Sequence, residues 1–94
     1  NVLDTLGRVQ YRLGEHRAAA ETLRRSIDAK PLVDNHLHLA EVYQAMDRPA
    51  SARREINAAR TLAEQSNDPK VKERVESAAR LLDATAAQAD EVNP

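Results

Sequence analysis

The sequence predicts an all-α protein built as a stack of antiparallel helix pairs. Strong helix formers dominate the composition, with Ala, Leu and Arg among the most frequent residues. Only 2 glycines and 4 prolines interrupt the 94 residues, and β-branched residues are too sparse for a sheet of several strands. Between these interruptions, apolar residues recur at helical spacing. Together these observations favour helices along the whole chain.

Glycine and proline positions divide the chain into five predicted helices, at residues 2–13, 17–29, 34–45, 49–65 and 69–88. Gly14 follows the first helix, where a left-handed residue commonly ends a helix. Pro31 ends the second helix, and Pro49 fits the first position of the fourth. Asp34 or Asn35 is expected to cap the third helix, because both side chains accept hydrogen bonds from free backbone N–H groups.

The first two helix pairs resemble each other at an offset of 33 residues. Small and apolar residues recur in register, in the matched pairs Leu6-Gly7 and Leu39-Ala40, Val9 and Val42, Leu13 and Met46, Ala19 and Ala52, and Leu23 and Ile56. A fixed period of this size with two helices per unit is typical of helical solenoids. One such pair cannot cover its own apolar face, so we expect the two pairs to stack.

The span 1–31, with the sequence NVLDTLGRVQYRLGEHRAAAETLRRSIDAKP, resembles a tetratricopeptide repeat. Leu6-Gly7 stands at the small-residue crossing point of that family and Gly14 in its turn, whereas Leu3 stands where the family favours Trp. Residues 34–66 resemble a second, more divergent copy, in which His36 replaces a large apolar residue. No Pro closes this copy near residue 64, so the fourth helix is expected to run about one turn longer than the second.

The resemblance implies one right-handed superhelical domain over residues 1–94. Its expected parts are a first repeat at 1–33, a second repeat at 34–66, a capping helix at 67–88 and a frayed tail at 89–94. It also implies a concave groove lined by the first helix of each pair. Carried over position by position, the groove residues are Asp4, Arg8, Tyr11, Arg12, Leu37, His38, Glu41, Gln44, Lys70 and Arg74.

Some members of this family hold the C-terminal carboxylate of a partner in a clamp of basic and Asn side chains. In this chain Asp4, Arg8 and His38 stand at clamp positions, and only Lys70 and Arg74 match in charge and spacing. An acidic residue in an anion site opposes carboxylate binding. We therefore expect no such clamp.

The sequence also speaks against several other functions. The chain has no Cys, no Gly-rich phosphate loop and no nucleophile motif, so no catalytic residue and no cofactor site are predicted. His36 and His38 are two residues apart and diverge on a helix, which argues against a metal site. A net charge of −1 gives no electrostatic attraction for nucleic acid. No run of about 18 apolar residues predicts insertion into a membrane.

The leading hypothesis is a non-enzymatic interaction module that binds a peptide or helix of another protein in the groove. One alternative is a structural C-terminal segment of a longer repeat array in a larger, bacterial protein. Another is homo-oligomerisation through the first helix pair, using Val2, Val9 or Gln10. The chain begins with Asn1 rather than Met, so it is read as a piece of something longer, and its localisation is left open between cytoplasm and periplasm.

Overall fold

The computed structural model describes residues 2–92, and it describes side chains from residue 2 to residue 85. Within this range the chain forms five α-helices and no strand, which confirms the all-α prediction. The helices are α1 (Val2–Arg12), α2 (His16–Ala29), α3 (Val33–Ala45), α4 (Pro49–Glu64) and α5 (Pro69–Val92).

Most helix ends lie within one residue of their expected positions, but three details differ. Leu32 is the N-cap of α3, so the expectation of Asp34 or Asn35 at that position is wrong. Helix α4 has 16 residues and α2 has 14, so α4 is longer by about half a turn rather than a full turn. Helix α5 continues to Val92, through most of the tail expected to fray, and residues 93 and 94 lie outside the described range.

The helices pack in chain order and form two layers. Each helix contacts the next, and α3 additionally contacts α1 on one flank and α5 on the other. Helices α1, α3 and α5 therefore share one side of the stack, and α2 and α4 form the other side. The core between them is built from small and medium side chains, among which Ala19, Leu23, Ala52, Ala59 and Val75 are fully buried.

A close approach inside the first helix pair accounts for Gly7. A Cβ atom placed on Gly7 would lie 2.6 Å from Cγ of Leu23, and Leu23 is fully buried. No flexible side-chain end is available there to move aside, so the crossing admits only glycine without repacking. The matching positions in the second pair, Ala40 and Ile56, are both buried at 4% exposure.

The turns inside the two pairs have the same backbone conformation. Gly14 has φ of 81°, and Asp47, which stands 33 positions later, has φ of 59°. Both values lie in the left-handed region, which glycine adopts freely and Asp adopts more readily than most residues. The repeat seen in the sequence is thus also a repeat of backbone geometry.

A buried asparagine joins the first pair to the second. The side chain of Asn35, 1% exposed, donates from Nδ2 to Ser26 Oγ at 3.3 Å and to the Lys30 carbonyl at 2.9 Å. Its Oδ1 accepts a hydrogen bond from the Leu32 backbone N–H at 2.9 Å. One side chain therefore ties the end of α2, the linker and the start of α3 together.

Polar side-chain contacts fasten α4 to both of its neighbours in sequence, α3 and α5. His36 on α3 is buried, and its Nδ1 lies 2.8 Å from Oε1 of Glu55 on α4, which explains how the repeat accommodates a histidine at an apolar position. On α5, Glu76 accepts two hydrogen bonds from Arg60, from Nε at 2.8 Å and from Nη2 at 3.1 Å. These bonds favour the ionised carboxylate and lower the pKa of Glu76.

We expect Gly7→Ala to lower the free energy of unfolding, because overpacking against Leu23 costs about 1–3 kcal/mol and outweighs a gain in helix propensity of about 0.5–1 kcal/mol. The double variant with Leu23→Ala supplies the control. In that background the new methyl group meets no Leu23 side chain, so Gly7→Ala is expected to stabilise relative to Leu23→Ala alone. Urea unfolding of the four chains measures the cycle. If Gly7→Ala lowers the free energy of unfolding equally in the parent chain and in the Leu23→Ala chain, the close contact is disproved.

We expect Asn35→Ala to destabilise the protein by about 1–3 kcal/mol, because it removes three hydrogen bonds and leaves the hydroxyl of Ser26, which is 0% exposed, without its Asn35 partner. The matched control is Asn57→Ala, since Asn57 is exposed and accepts one hydrogen bond from Arg60. Asn57→Ala should change the free energy of unfolding by no more than about 0.5 kcal/mol. Thermal melts of both variants provide the comparison. Similar decreases in melting temperature for the two variants would count against the role of Asn35.

Candidate functional site

Two hollows lie on the side shared by α1, α3 and α5, where the sequence analysis expects a groove. A hollow of about 360 Å³ is lined by residues of α1, α3, α4 and α5. A smaller hollow of about 110 Å³ is lined by residues of α1, α2 and α3. Arg8, His38 and Glu41 line both hollows, so the two adjoin along α3. We refer to them together as the groove.

The structure brings eight of the ten residues expected in the groove together in its lining. These are Arg8, Tyr11, Arg12, Leu37, His38, Glu41, Gln44 and Arg74. Asp4 is absent from the lining but contacts His38, which is part of it. Lys70 lies away from the hollows, in the first turn of α5, where its backbone N–H donates to Oδ1 of Asp68 at 2.9 Å.

The floor of the larger hollow is apolar. Leu37, Ala78 and Leu82 lie within or against the core cluster and also line the hollow. Leu81, also in the lining, is 67% exposed. An exposed leucine above an apolar floor gives the groove a surface that can bury an apolar side chain of a ligand. Burial of apolar surface is the main favourable term in most protein associations.

An ion pair crosses from α3 to α5 at the side of the larger hollow. Nη2 of Arg74 lies 2.6 Å from Oδ1 of Asp34, and both side chains are about half exposed. The ion pair offsets the positive charge of Arg74, a residue that the sequence analysis placed in the groove. A surface pair of this kind contributes little to stability, of the order of 0–1 kcal/mol.

A second polar contact links α1 to α3. Nδ1 of His38 lies 2.9 Å from Oδ1 of Asp4, and each side chain is only about one-fifth exposed. The carboxylate of Asp4 therefore meets an imidazole within the chain. This contact orients the His38 ring, which lines both parts of the groove.

Arg8 and Glu41 differ from these paired groups. Both are exposed and line both hollows, and neither side chain makes a hydrogen bond or an ion pair with any residue between 2 and 85. The groove thus presents a guanidinium on α1 and a carboxylate on α3, each open to a ligand. Tyr11 adds an aromatic ring beside them, and that ring packs at 5.5 Å from the ring of His16.

Sequence reasoning missed several residues that line the larger hollow, namely Asp34, Ala40, Ile56, Ala78, Leu81 and Leu82. Most are apolar residues that the spacing assigned to the core, and they reach the groove because its floor is the top of the core. Leu81 carried the clearest available signal, since it directly precedes the buried Leu82 and so points away from the core stripe. The partner of Arg74 could not be read from the sequence, because Asp34 is 40 residues away.

The described residues contain no cluster of three or more His, Asp or Glu side chains positioned to hold a metal ion. Across the same range, no helix combines the length and apolar character required to cross a bilayer. The groove itself offers a ligand an apolar floor, the ion pair between Asp34 and Arg74, and the unpaired side-chain charges of Arg8 and Glu41.

Comparisons with known proteins give a partial match. No protein-family model and no solved structure matches the chain. Tetratricopeptide repeat protein 8 of Homo sapiens and that of Mus musculus are each 36% identical to it over 47 residues. This segment is 50% of the chain and spans only 9% of either relative's length. Half of the chain is therefore similar to proteins named for the tetratricopeptide repeat, and this similarity indicates a relationship to them.

Proposed function

We propose that this chain is a protein–protein interaction module that binds a peptide or a helix of a partner protein in the groove. The observation that carries the proposal is the combination of an apolar floor with two open charges of opposite sign, Arg8 and Glu41. The similarity to tetratricopeptide repeat proteins supports it, since such repeats form extended binding surfaces. No catalytic role is proposed.

The size of the groove suits one large side chain of a bound polypeptide. Its larger hollow, about 360 Å³, lies at the lower end of the range of about 300–1,000 Å³ that small-molecule pockets occupy. One large apolar side chain fits against Leu37, Ala78 and Leu82. The expected ligand is therefore a segment with an apolar anchor residue, flanked by an acidic residue that pairs with Arg8 and a basic one that pairs with Glu41.

The binding mechanism is geometric. The helices that carry Arg8 and Glu41 are held by contacts made before any ligand arrives, among them the Asp4–His38 contact and the Asn35 network. A preformed surface loses little conformational entropy when it binds, so more of the contact energy appears as affinity. The two open charges set the direction of the ligand, and the apolar floor supplies most of the free energy.

The groove proposal predicts which substitutions weaken binding. Peptides selected from a displayed library of random 16-residue sequences should bind the chain, with affinities measured by calorimetry. Leu37→Asp is expected to weaken them at least tenfold, about 1.4 kcal/mol, because it places a charge against the apolar floor. Arg8→Glu should weaken those with an acidic flanking residue.

Two control variants lie outside the groove. Arg24→Glu changes an exposed charge of α2, and Val9→Asp places an acid on an exposed apolar position of α1. Neither should change peptide affinity beyond about twofold. The proposal fails if the selected peptides bind Leu37→Asp as well as the parent chain, or if they respond to Arg24→Glu instead.

The same geometry predicts weak binding of a free C-terminal carboxylate. A peptide ending in Glu-Glu-Val-Asp should show no micromolar affinity in a titration, because Arg74 is already paired with Asp34 and Asp4 adds a second carboxylate near His38. Micromolar binding that disappears in Lys70→Ala would contradict this prediction and would show that the chain does contain a carboxylate clamp.

A further inference from the structure

The side chain of His38 leaves one ring nitrogen open in the groove. Its Nδ1 lies 2.9 Å from Oδ1 of Asp4, and Asp4 itself is outside the lining of both hollows. The other ring nitrogen, Nε2, makes no hydrogen bond with any residue between 2 and 85, and it is not buried. Because His38 lines both hollows, Nε2 is the polar atom of this side chain that a ligand can reach.

The contact with Asp4 determines which ring nitrogen of His38 carries the proton. A carboxylate oxygen only accepts hydrogen bonds, so Nδ1 of the neutral ring donates to it. In a neutral imidazole one nitrogen is a donor and the other is an acceptor. Nε2 of the neutral ring is therefore a bare acceptor, and Asp4 holds the ring in that state before any ligand binds.

A second open acceptor lies beside His38 on the same helix. Glu41 follows His38 by three positions on α3, and side chains at this spacing are neighbours on a helix surface. Both residues line both hollows, and the Glu41 carboxylate has no ion-pair partner between residues 2 and 85. The groove thus offers two acceptors side by side, one of which carries a negative charge.

We propose that Glu41 and His38 together bind a primary ammonium group of the ligand, the side chain of a lysine, and that they do so only while His38 is neutral. The inference rests on the proposed function and specifies the basic residue that pairs with Glu41. An ammonium group has three donors, so one can serve the Glu41 carboxylate and another Nε2 of His38. A guanidinium is planar and is best matched by the two oxygens of one carboxylate, so it suits this pair of acceptors less well.

Proton uptake by His38 abolishes the lysine site. Once protonated, Nε2 is a donor rather than an acceptor, and the ring places a positive charge beside the ammonium group. Both changes oppose binding. The affinity for a ligand lysine should therefore fall as the pH is lowered through the range in which imidazoles gain a proton, from about pH 8 to about pH 5.

Other ionisable groups surround the His38 ring. They contact the ring or line the same hollows, and they are Asp4, Arg8, Tyr11 and Arg12 on α1, Asp34 and Glu41 on α3, and Arg74 on α5. Helices α2 and α4 contribute Leu23 and Ile56 to the lining, and these side chains do not titrate. Carboxyl, guanidinium and phenol groups ordinarily change charge outside the range from about pH 5 to about pH 8, whereas imidazoles change charge within it.

The proton position on His38 can be measured in the free chain. Long-range proton–nitrogen NMR spectra at about pH 8, where imidazoles are neutral, distinguish protonated from bare ring nitrogens. His38→Gln identifies the signals of His38 by their loss. We expect Nδ1 to be protonated and Nε2 to be bare, and Asp4→Asn, which offers an amide in place of the carboxylate, should increase the Nε2-protonated form. A parent chain with Nε2 protonated overturns the inference.

The binding test uses peptides selected at about pH 8 from the random library, restricted to those that contain no histidine. We expect the selected peptides to contain a lysine and to lose affinity on Glu41→Gln. Their affinity for the parent chain should fall about tenfold between about pH 8 and about pH 5, which corresponds to the loss of one hydrogen bond. Selected peptides that bind the groove without a lysine overturn the inference.

His38→Gln separates the titration of His38 from other effects of pH. The amide oxygen of Gln accepts a hydrogen bond and takes up no proton in this range. Peptide affinity for this variant should therefore change by no more than about twofold with pH, within the effect of a weak contact. An equal fall in affinity in the parent chain and in His38→Gln overturns the inference, and so does an affinity of the parent chain that does not change with pH.

His36→Gln is the matched control. Nδ1 of His36 also contacts a carboxylate, at 2.8 Å from Oε1 of Glu55, but His36 is buried and lines neither hollow. The fall in affinity with pH should persist in this variant, and its disappearance there would overturn the assignment to His38. Circular dichroism at both pH values checks that each chain is folded. If His36→Gln unfolds, His16→Gln replaces it, since His16 also lies outside the two hollows.

A methylated peptide separates hydrogen bonding from charge. Trimethyllysine keeps the positive charge of lysine but has no N–H donor, so it should weaken binding to the parent chain about tenfold. Equal affinity of the two peptides would show that charge alone is recognised and would overturn the role of Nε2.

Failure of this inference is distinguishable from failure of the proposed function. If peptides bind and respond to Leu37→Asp but show no dependence on pH, the groove function stands and the lysine site is wrong. If no library peptide binds the parent chain, the proposed function fails and the lysine site falls with it, while the NMR spectra still decide where the proton on His38 lies.

Discussion

The relation between the two helix pairs depends on the buried side chain of Asn35. Its amide bonds to Ser26, to the Lys30 carbonyl and to the Leu32 N–H, and these groups belong to the last turn of α2 and to the linker. Backbone groups that leave a helix need new partners, and here a single buried residue supplies them where the chain changes direction. The angle at which α3 leaves α2 also determines how far α3 stands from α1, so the groove takes its width from this contact.

The helices could be predicted because their determinants are local. Apolar spacing, Pro49 at a helix start and Gly14 in a turn act over a few residues, and the structure has helices at each of the five expected places. The resemblance to the tetratricopeptide repeat then indicated the crossing at Gly7. The N-cap of α3 was missed because the Asn35 side chain reaches back to Leu32 rather than capping the helix from its own position.

The pairings between helices could not be predicted in the same way. Asp34 meets Arg74 across 40 residues, and Asp4 meets His38 across 34. Each contact depends on the angles at which helices stack, and a change of one helical position turns a side chain by about 100°. Sequence periodicity predicts which residues share a helix face, but it does not predict which charged side chains on neighbouring helices form contacts. Periodicity therefore placed eight of the expected residues along the two hollows, but it did not reveal the ion pair between Arg74 and Asp34.

The left-handed residues Gly14 and Asp47 restrict where the chain can change in length. Each hairpin reverses through one residue of fixed conformation, so an insertion there would rotate the following helix and turn its apolar stripe out of the core. The connection before α5 includes the exposed positions Asn67 and Asp68 and contains no such residue. Insertions and deletions should accordingly be tolerated between α4 and α5 and rejected within the two hairpins.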